Sequence, residues 1–255
     1  MRILLTNDDG ILAPGLAALR SAVEDLGEVT VVAPDSPQSA TGRAITLTDP
    51  IVCERVHVDG QFWGHSVSGR PADCVKLAVR ELMDEKPDLL LAGINPGANC
   101  GVNVFYSGTV AAAAEGAMMG IPSVAFSMAV GEELDFHRAA AVARAVLDVL
   151  LADGLGPGDL INVNIPALSD RAPRGVKVVR QSTAAITESY ERQDGSGPRT
   201  VFRLREHYEH HPEETDNDVT AVGDGFIAVT PLHADLTDYR RCDRLAGLKW
   251  PTPAG

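Results

Sequence analysis

Residues 1–12 read MRILLTNDDGIL, and the break in the middle of this stretch decides the fold. Ile3-Leu4-Leu5 is a short apolar run, and Thr6-Asn7-Asp8-Asp9-Gly10 stops it with a turn signal, the pattern of a buried strand. In open α/β sheets, ligands bind beyond the carboxyl ends of the strands. Two adjacent carboxylates at such an end repel each other and are costly to desolvate unless a cation or water reaches them. One reading is that Asp8 and Asp9 hold a hard divalent metal while Gly10 makes the tight turn. The other is a solvated turn in which one of the two aspartates caps the next helix. This stretch alone leaves both open.

The chain on either side supplies the rest of the sheet. Pro14 and the apolar run from Leu16 to Leu26 predict a helix with proline in its first turn and Gly27 as its stop. Val29–Ala33 is a second strand, ended by Pro34-Asp35. Strand, helix and strand in about 30 residues form a βαβ unit, which requires a parallel sheet and a right-handed crossover. The polar loop 36–44, SPQSATGRA, leaves the second strand on the same edge as Asp8 and Asp9. Alternation over Ile45–Cys53 and Glu54–Val58 predicts two short antiparallel strands, and Ala72–Met83 a helix. Pro87–Ala92 is a further buried strand that breaks into GINPGANCG at 93–101. Ser107-Gly108-Thr109 opens a helix over Val110–Met119, whose alanines permit close packing on the sheet. Pro122–Met128 and Leu160–Ile165 read as strands around a helix at Phe136–Leu151. The class is α/β with a parallel core, assigned to residues 1–170. From there the character changes: Val176–Arg180, Thr200–Arg205 and Phe226–Thr230 are strand-like, and the links 181–199 and 206–218 are polar. Residues 171–255 are expected to be a hairpin-rich extension, packed on the same core and used for subunit contacts.

The bulk numbers narrow the function classes. A chain of 255 residues with 45% hydrophobic content suffices for one large domain with an appendage. A net charge of −13 argues against a broad nucleic-acid surface. It does not exclude a small anionic substrate, because a bound metal reverses the field locally. The four cysteines, Cys53, Cys74, Cys100 and Cys242, form no CxxC pair, so a zinc knuckle is not expected. The sequence opens directly on a strand, and no apolar run approaches the ~18 residues of a membrane span. The expectation is a cytoplasmic protein with reduced thiols.

Three strand ends now converge. Asp8 and Asp9 follow the first strand, Ser39 lies after the second, and Asn95 lies in the GINPGANCG loop. Carboxylate, hydroxyl and amide oxygens suit Mg²⁺, Mn²⁺ or Ca²⁺ better than a soft metal. Beside them, Asn99 and the Ser107-Gly108-Thr109 turn at a helix N-terminus form a candidate anion cradle. A metal next to such a cradle points to phosphoryl chemistry. Taken singly, Asn95 and Asn99 also read as turn formers and Ser107 or Thr109 as helix caps. Neither GxGxxG nor GxxxxGK[ST] is present, which disfavours a dinucleotide or P-loop site. His207, His210 and His211 lie in a polar link outside any HExxH frame and read as solvated. Cys100 reads as structural, and Trp63 and Trp250 as packing residues.

Taken together, ILLTNDDGILAPG at 3–15, VVAPDSPQSATGRAIT at 31–46, GRPADCV at 69–75, PDLLLAGINPGANCG at 87–101, YSGTVAAAAEG at 106–116, NVNIP at 162–166 and TDNDVTAVGDGFIAVTPL at 215–232 resemble the SurE family of survival-protein nucleotidases. The resemblance implies a Rossmann-like three-layer core and a homodimer or homotetramer built partly by swapped C-terminal segments. It implies a phosphatase acting on nucleoside 5′- and 3′-monophosphates with one divalent ion per subunit, Mg²⁺ or Mn²⁺, a site that Ca²⁺ can occupy in crystals. By position, Asp8, Asp9, Ser39 and Asn95 are the implied metal ligands, with Asp8 and Asp9 also catalytic. Asn99, Ser107, Gly108 and Thr109 fall where the family holds phosphate. Three positions depart from the family pattern: Ala40 stands for glycine, Ala44 for serine and Arg70 for threonine. Ala40 restricts the Ser39 loop if the glycine uses positive φ, and Arg70 adds a phosphate or base contact if it faces the pocket. Two other functions remain open at this point: an aspartyl-phosphate enzyme with Asp8 as nucleophile, and a nucleotide-binding module without catalysis.

Overall fold

The computed structural model describes residues 1–168, 172–183, 187–193, 200–207 and 215–251. Its centre is β1 (Arg2–Thr6), four of whose five residues are buried. The chain first builds to one side of it. Helix α1 (Pro14–Val23) leads to β2 (Glu28–Pro34), parallel to β1 with Ile3 opposite Val29. β3 (Cys53–Val58) and β4 (Gln61–Val67) make a hairpin whose second strand joins β2 in parallel. After α2 (Pro71–Leu77) the chain crosses β1 and places β5 (Leu89–Pro96) on its other side, with Ile3 opposite Leu89. Helix α3 (Gly108–Met118), β6 (Ser123–Met128), α4 (Phe136–Asp153) and β7 (Leu160–Ile165) continue outwards with β5, β6 and β7 all parallel.

The C-terminal part divides. β8 (Val176–Val178) and β11 (Ile227–Leu232) join the same sheet, β11 running antiparallel to β7. β9 (Thr187–Gln193) and β10 (Val201–His207) pair only with one another among the described residues. Two helices complete this part, α5 (Asp218–Gly223) and α6 (Tyr239–Ala246). The main sheet runs β3-β4-β2-β1-β5-β6-β7-β11-β8. Its order reverses between β1 and β5, which opens a crevice over their carboxyl ends, the place where doubly wound sheets bind ligands. Asp8-Asp9 follows β1 and Asn95 closes β5, so the two loops are neighbours at this crevice.

Helices α1 and α4 pack together on one face of the sheet and α2 and α3 on the other. Every residue of β6 and β7 is buried, as parallel strands covered on both faces require. The alanines of α3 let it lie close to the sheet: a Cβ at Gly116 would stand 2.6 Å from both Leu90 Cδ1 and Ser123 Oγ. A 2.6 Å ion pair from Lys76 Nζ to Glu115 Oε1 ties α2 to α3.

Local differences from the sequence reading have physical causes. Residues 45–52 are not a strand. Leu47 and Val52 are exposed, so the alternation there has no face to bury, and Pro50 donates no ladder hydrogen bond. The partner of Cys53–Val58 is instead Gln61–Val67, joined through Asp59 and Gly60 at φ 50° and 78°. Asp-Gly with both residues at positive φ is the tight turn that matches strand twist, and it outranks the alternation upstream. The helix expected over 72–83 ends as α-helix at Leu77 and continues as one wider π turn to Leu82. Trp63 does pack, its Nε1 donating to the Ile11 carbonyl at 2.9 Å beneath the Arg20 guanidinium. Trp250 stays 64% exposed and is not a core residue of this chain. Parts of the two polar links, 184–186, 194–199 and 208–214, lie outside the described residues, and with them His210, His211 and the side chain of His207.

Candidate active site

The turn after β1 is braced by Asn7. Its Nδ2 donates to the Gly10 carbonyl at 2.9 Å and its Oδ1 accepts from the Gly10 N–H at 3.2 Å. Gly10 sits at φ 108°, which a side chain disfavours. The turn directs Asp8 inward against the start of α3. The Thr109 hydroxyl donates to Asp8 Oδ1, and the backbone N–H groups of Gly108 and Thr109 bond to the same aspartate. These are the free donors at the positive end of the helix. Only glycine fits at 108, because a Cβ there would lie 2.7 Å from Asp8 Cβ and 2.9 Å from its Oδ2.

Both carboxyls are held above the ordinary range. For Asp8 burial is the larger cause and the Thr109 hydrogen bond opposes it. Asp9 is pushed up to about 7, first by burial and then by the charge of Asp8 beside it. Asp9 Oδ2 is buried and meets no hydrogen-bond donor among the described residues.

The loop carrying Ser39 is tied down at several points. The Gln38 N–H donates to the Asp8 carbonyl at 2.7 Å, and the Gly42 N–H donates to the Tyr106 carbonyl at 2.9 Å. The Asp73 carboxylate accepts from the Arg70 N–H at 2.8 Å and from the Thr46 hydroxyl at 2.8 Å. Ala40 adopts φ 54°, so the residue standing where the family pattern has glycine does occupy the left-handed region. The Arg70 guanidinium donates to Gln38 Oε1. It braces the loop from behind and lines a neighbouring cavity of about 310 Å³ with Asp35 and Ser36. Ala44 is exposed and lines neither cavity.

The third loop follows β5. Asn95 Nδ2 donates to the Gly97 carbonyl at 2.7 Å, and the residue lines the cavity at the crevice. Asn99 is clamped by residues the sequence reading did not single out. Its N–H donates to Asn164 Oδ1 at 2.7 Å, and its carbonyl accepts from Asn162 Nδ2 at 2.8 Å. Its own Nδ2 donates to Ser127 Oγ at 2.7 Å. Two residues on, the Gly101 N–H donates at 2.9 Å to the buried carboxylate of Asp218, which also accepts from the Ser182 N–H at 2.8 Å. The signal for the clamp was present: two asparagines at alternate positions of an otherwise apolar, buried strand place two amides on one face.

The loops close on one cavity of about 230 Å³, lined by Asp8, Ser39, Asn95, Asn99 and Ser107 together with Asn103 and Tyr106. Asp9, Gly108 and Thr109 do not line it; Gly108 and Thr109 act on Asp8 from behind. Ser107 caps α3 by accepting from the Val110 N–H at 3.1 Å, which leaves its hydroxyl hydrogen to donate elsewhere. Cys100 is buried, and burial holds its thiol well above the ordinary value, so it is a poor nucleophile. Among the described residues no three His, Cys, Asp or Glu side chains converge as a metal cluster. What converges on the cavity is a mixed set, the Asp8 carboxylate, the Ser39 and Ser107 hydroxyls and the Asn95 and Asn99 amides. Hard oxygen donors of low total charge suit a divalent ion that keeps part of its water shell.

Comparison with known proteins identifies the chain's relatives. The family model described as survival protein SurE matches residues 3–188. The 5′-nucleotidase SurE of Syntrophobacter fumaroxidans is 45% identical over 98% of this chain and 99% of its own length. That of Rhodopirellula baltica is 44% identical over 98% of each. The crystal structure of the SurE protein from Aquifex aeolicus superposes with a TM-score of 0.81 at 38% identity, covering 96% of this chain and 98% of the other.

Proposed function

The chain belongs to the survival protein SurE family, and from that premise we propose that it is a divalent-metal-dependent nucleotidase, hydrolysing nucleoside 5′-monophosphates, and 3′-monophosphates as well, to nucleoside and phosphate. The observation that carries the reading is the cavity that Asp8 lines together with Ser39, Asn95, Asn99 and Ser107, next in sequence to a buried Asp9 oxygen that meets no donor among the described residues. Asp8, Asp9, Ser39 and Asn95 would hold one Mg²⁺ or Mn²⁺, with Ca²⁺ a further occupant of the same oxygen set. When bound, the ion supplies a Lewis acid for a phosphoryl oxygen and acidifies a water. Asp8 is fixed in orientation by Thr109 and the α3 N-terminus, an arrangement that favours a ligand over a nucleophile. Asn99, immobilised by Asn162, Asn164 and Ser127, and Ser107 at the helix end bind the phosphate and meet the charge that develops on its oxygens. Gly108 and Thr109 contribute through the positive end of α3.

The test is phosphate release from a panel of nucleoside monophosphates in EDTA and after Mg²⁺ or Mn²⁺ is restored. Release should vanish with the chelator and return with the metal, and Asp8→Asn should reduce turnover at least a hundredfold in a folded protein. Release that is indifferent to EDTA would sink the metal reading. No release with any metal would leave a nucleotide-binding module.

The region 171–255 is proposed to serve subunit contacts in a homodimer or homotetramer. An isolated two-stranded hairpin is marginally stable in water, and β9–β10 exposes Tyr190, Val201 and Phe202, while Tyr239 and Trp250 are exposed at and after α6. Light scattering on the intact chain tests this, and a monomer would refute it. We place the protein in the cytoplasm, a reading supported by four free thiols. Among the described residues no helix is long and apolar enough to cross a membrane.

A further inference from the structure

The loop that carries Ser39 is held by little buried surface. Asp35, Ser36, Pro37, Ser39 and Ala40 are exposed and Gln38 is half-buried, so directional bonds rather than packing decide where the Ser39 hydroxyl stands. Ala40 adds to the demand. Its φ of 54° is a conformation that an alanine leaves unless its surroundings hold it there.

Two anchors for this loop come from one place, the start of α2. The buried Asp73 carboxylate accepts from the Thr46 hydroxyl at 2.8 Å and from the Thr46 N–H at 3.1 Å, which fixes the far end of the loop. The same carboxylate accepts from the Arg70 N–H at 2.8 Å and so fixes the root of the Arg70 side chain. The guanidinium then reaches across to Gln38 Oε1. Gln38 is engaged on every other side as well. Its Nε2 donates to the Ser36 carbonyl at 3.2 Å, its N–H donates to the Asp8 carbonyl at 2.7 Å, and its carbonyl accepts from the Thr41 hydroxyl at 2.9 Å. Among the described residues, Arg70 alone joins the Gln38 side chain to an element outside the loop. Neither Arg70 nor Gln38 lines the polar cavity.

We infer that Arg70 is a positioning residue for Ser39: its bond to Gln38 sets the Ser39 hydroxyl at the cavity, and through it the affinity of the site for a divalent ion. The inference rests on the metal reading above and adds what holds the one proposed ligand that lies well beyond the end of its strand. A hydrogen bond from a charged donor is roughly twice as strong as a neutral one, and the planar guanidinium presents its donors in a fixed geometry. Arg70 therefore supplies from outside the rigidity that an exposed loop lacks. Partners that orient a metal ligand in this way typically matter about tenfold to a hundredfold in metal affinity or activity.

The test uses the full chain with Arg70→Met, which keeps much of the side chain and removes its donors, and Arg70→Lys, which keeps one charged donor. In EDTA, hydrogen exchange of the Gln38 and Gly42 amides should quicken in Arg70→Met and return toward wild type in Arg70→Lys. Tm should stay within about 2 °C, because the side chain is exposed. Calorimetric titration with Mn²⁺ alone should give a Kd about tenfold weaker or more in Arg70→Met, recovered in part by Arg70→Lys. On charge alone, removing a cation would tighten the binding of a metal ion, so the weakening reports the position of the loop. Excess Mn²⁺ should restore turnover, with KM for a nucleoside monophosphate unchanged. Unaltered exchange in Arg70→Met overturns the proposal. So does a raised KM with metal affinity intact, which would make Arg70 a substrate contact. If the wild-type chain hydrolyses no phosphomonoester, the catalytic reading fails on its own, and the exchange and Mn²⁺ measurements still decide the role of Arg70. If it binds no Mn²⁺, the metal reading fails first, and the exchange rates alone decide whether Arg70 positions the loop.

Discussion

Gly108→Ala is the substitution that isolates the position of Asp8 from its chemistry. The added Cβ would lie 2.7 Å from Asp8 Cβ, 2.9 Å from its Oδ2 and 3.1 Å from Pro71 Cγ. Carbon atoms in contact rest at about 3.5–4.0 Å, so Asp8 or the first turn of α3 must move by about 1 Å. In stability the change is small, because two effects oppose. Alanine gains about 1 kcal/mol over glycine in a helix, and overpacking costs about 1–3 kcal/mol. The balance is a loss of about 0–2 kcal/mol, or a fall in Tm of at most ~8 °C. Activity is far more sensitive, since a misplacement of ~1 Å can cost about a hundredfold in rate. The control is Gly116→Ala in the same helix, ~12 Å further along the axis. Its Cβ would press on Leu90 and Ser123 at 2.6 Å, a comparable overpacking far from Asp8. Thermal unfolding and steady-state kinetics on both variants are the assay. The expected result is a similar loss of Tm in the two, with kcat/KM reduced about a hundredfold only in Gly108→Ala and restored in part by excess metal. Wild-type turnover in Gly108→Ala would refute the claim that Asp8 must sit where α3 holds it. An equal loss in Gly116→Ala would show that the effect is global.

Other outcomes follow from the same geometry. Ala40→Gly removes a left-handed alanine at φ 54°; a relief of about 1–2 kcal/mol set against the entropy of glycine, about 0.5–1 kcal/mol, leaves Tm raised by about 2 °C, and a fall in Tm would contradict the strain argument. In EDTA, the raised pKa of Asp9, about 7 in the fold against 3.8 for a free side chain, means that its neutral form is the one the fold favours. Stability from this group is present below pH ~4 and is lost as pH rises through ~7. The Tm gained on adding Mg²⁺ should therefore grow from pH 5 to pH 8, and a gain that shrinks over that range would reverse the sign. Asp9→Asn should raise Tm in EDTA at pH 8 while abolishing turnover, because it removes the repulsion together with the ligand; a lowered Tm would mean that Asp9 has a partner in the metal-free fold. Asn164→Ala leaves the buried Asn99 N–H without its acceptor, a cost of about 1–3 kcal/mol, and should lower kcat more than it raises KM; the opposite split would make Asn164 a binding residue rather than a brace.

The strands that carry this site were legible because their signals are local. Ile3-Leu4-Leu5 before Asn-Asp-Asp-Gly, and Leu89–Ala92 before Gly-Ile-Asn-Pro-Gly, each announce a buried strand and its end within a dozen residues. Once the βαβ handedness is imposed, both ends must lie on one edge of the sheet. The hairpin was misplaced for the converse reason. Alternation at 45–53 is a weak signal wherever no face is covered, and the Asp59-Gly60 turn that sets the true register lies beyond the end of that stretch. The left-handed conformation of Ala40 could be stated only as a condition, since no pattern in one sequence reports φ.

What sequence could not supply is the support of the site, because its partners are distant. Asn99 is held by Ser127, Asn162 and Asn164, and Gly101 by Asp218, at separations of 28 to 117 residues. Each is an ordinary polar residue until the sheet is assembled. The alternation in Leu-Ile-Asn-Val-Asn-Ile nevertheless carries information that a charge-based search overlooks. A fully buried strand that spends two positions on amides loses apolar burial at both, and such residues persist in a core only where their hydrogen bonds are met. At β7 both amide NH₂ groups and Asn164 Oδ1 are met by the backbone of a loop that carries no regular secondary structure, while Asn162 Oδ1 meets no donor among the described residues. That pairing turns a flexible glycine-rich loop into a fixed one. It is how Asn99, the proposed phosphate ligand, holds its position on a loop without regular secondary structure. The same reasoning runs in reverse for any chain of this architecture: buried amides at alternate positions of the strand two places beyond the switch point mark the loop that must not move.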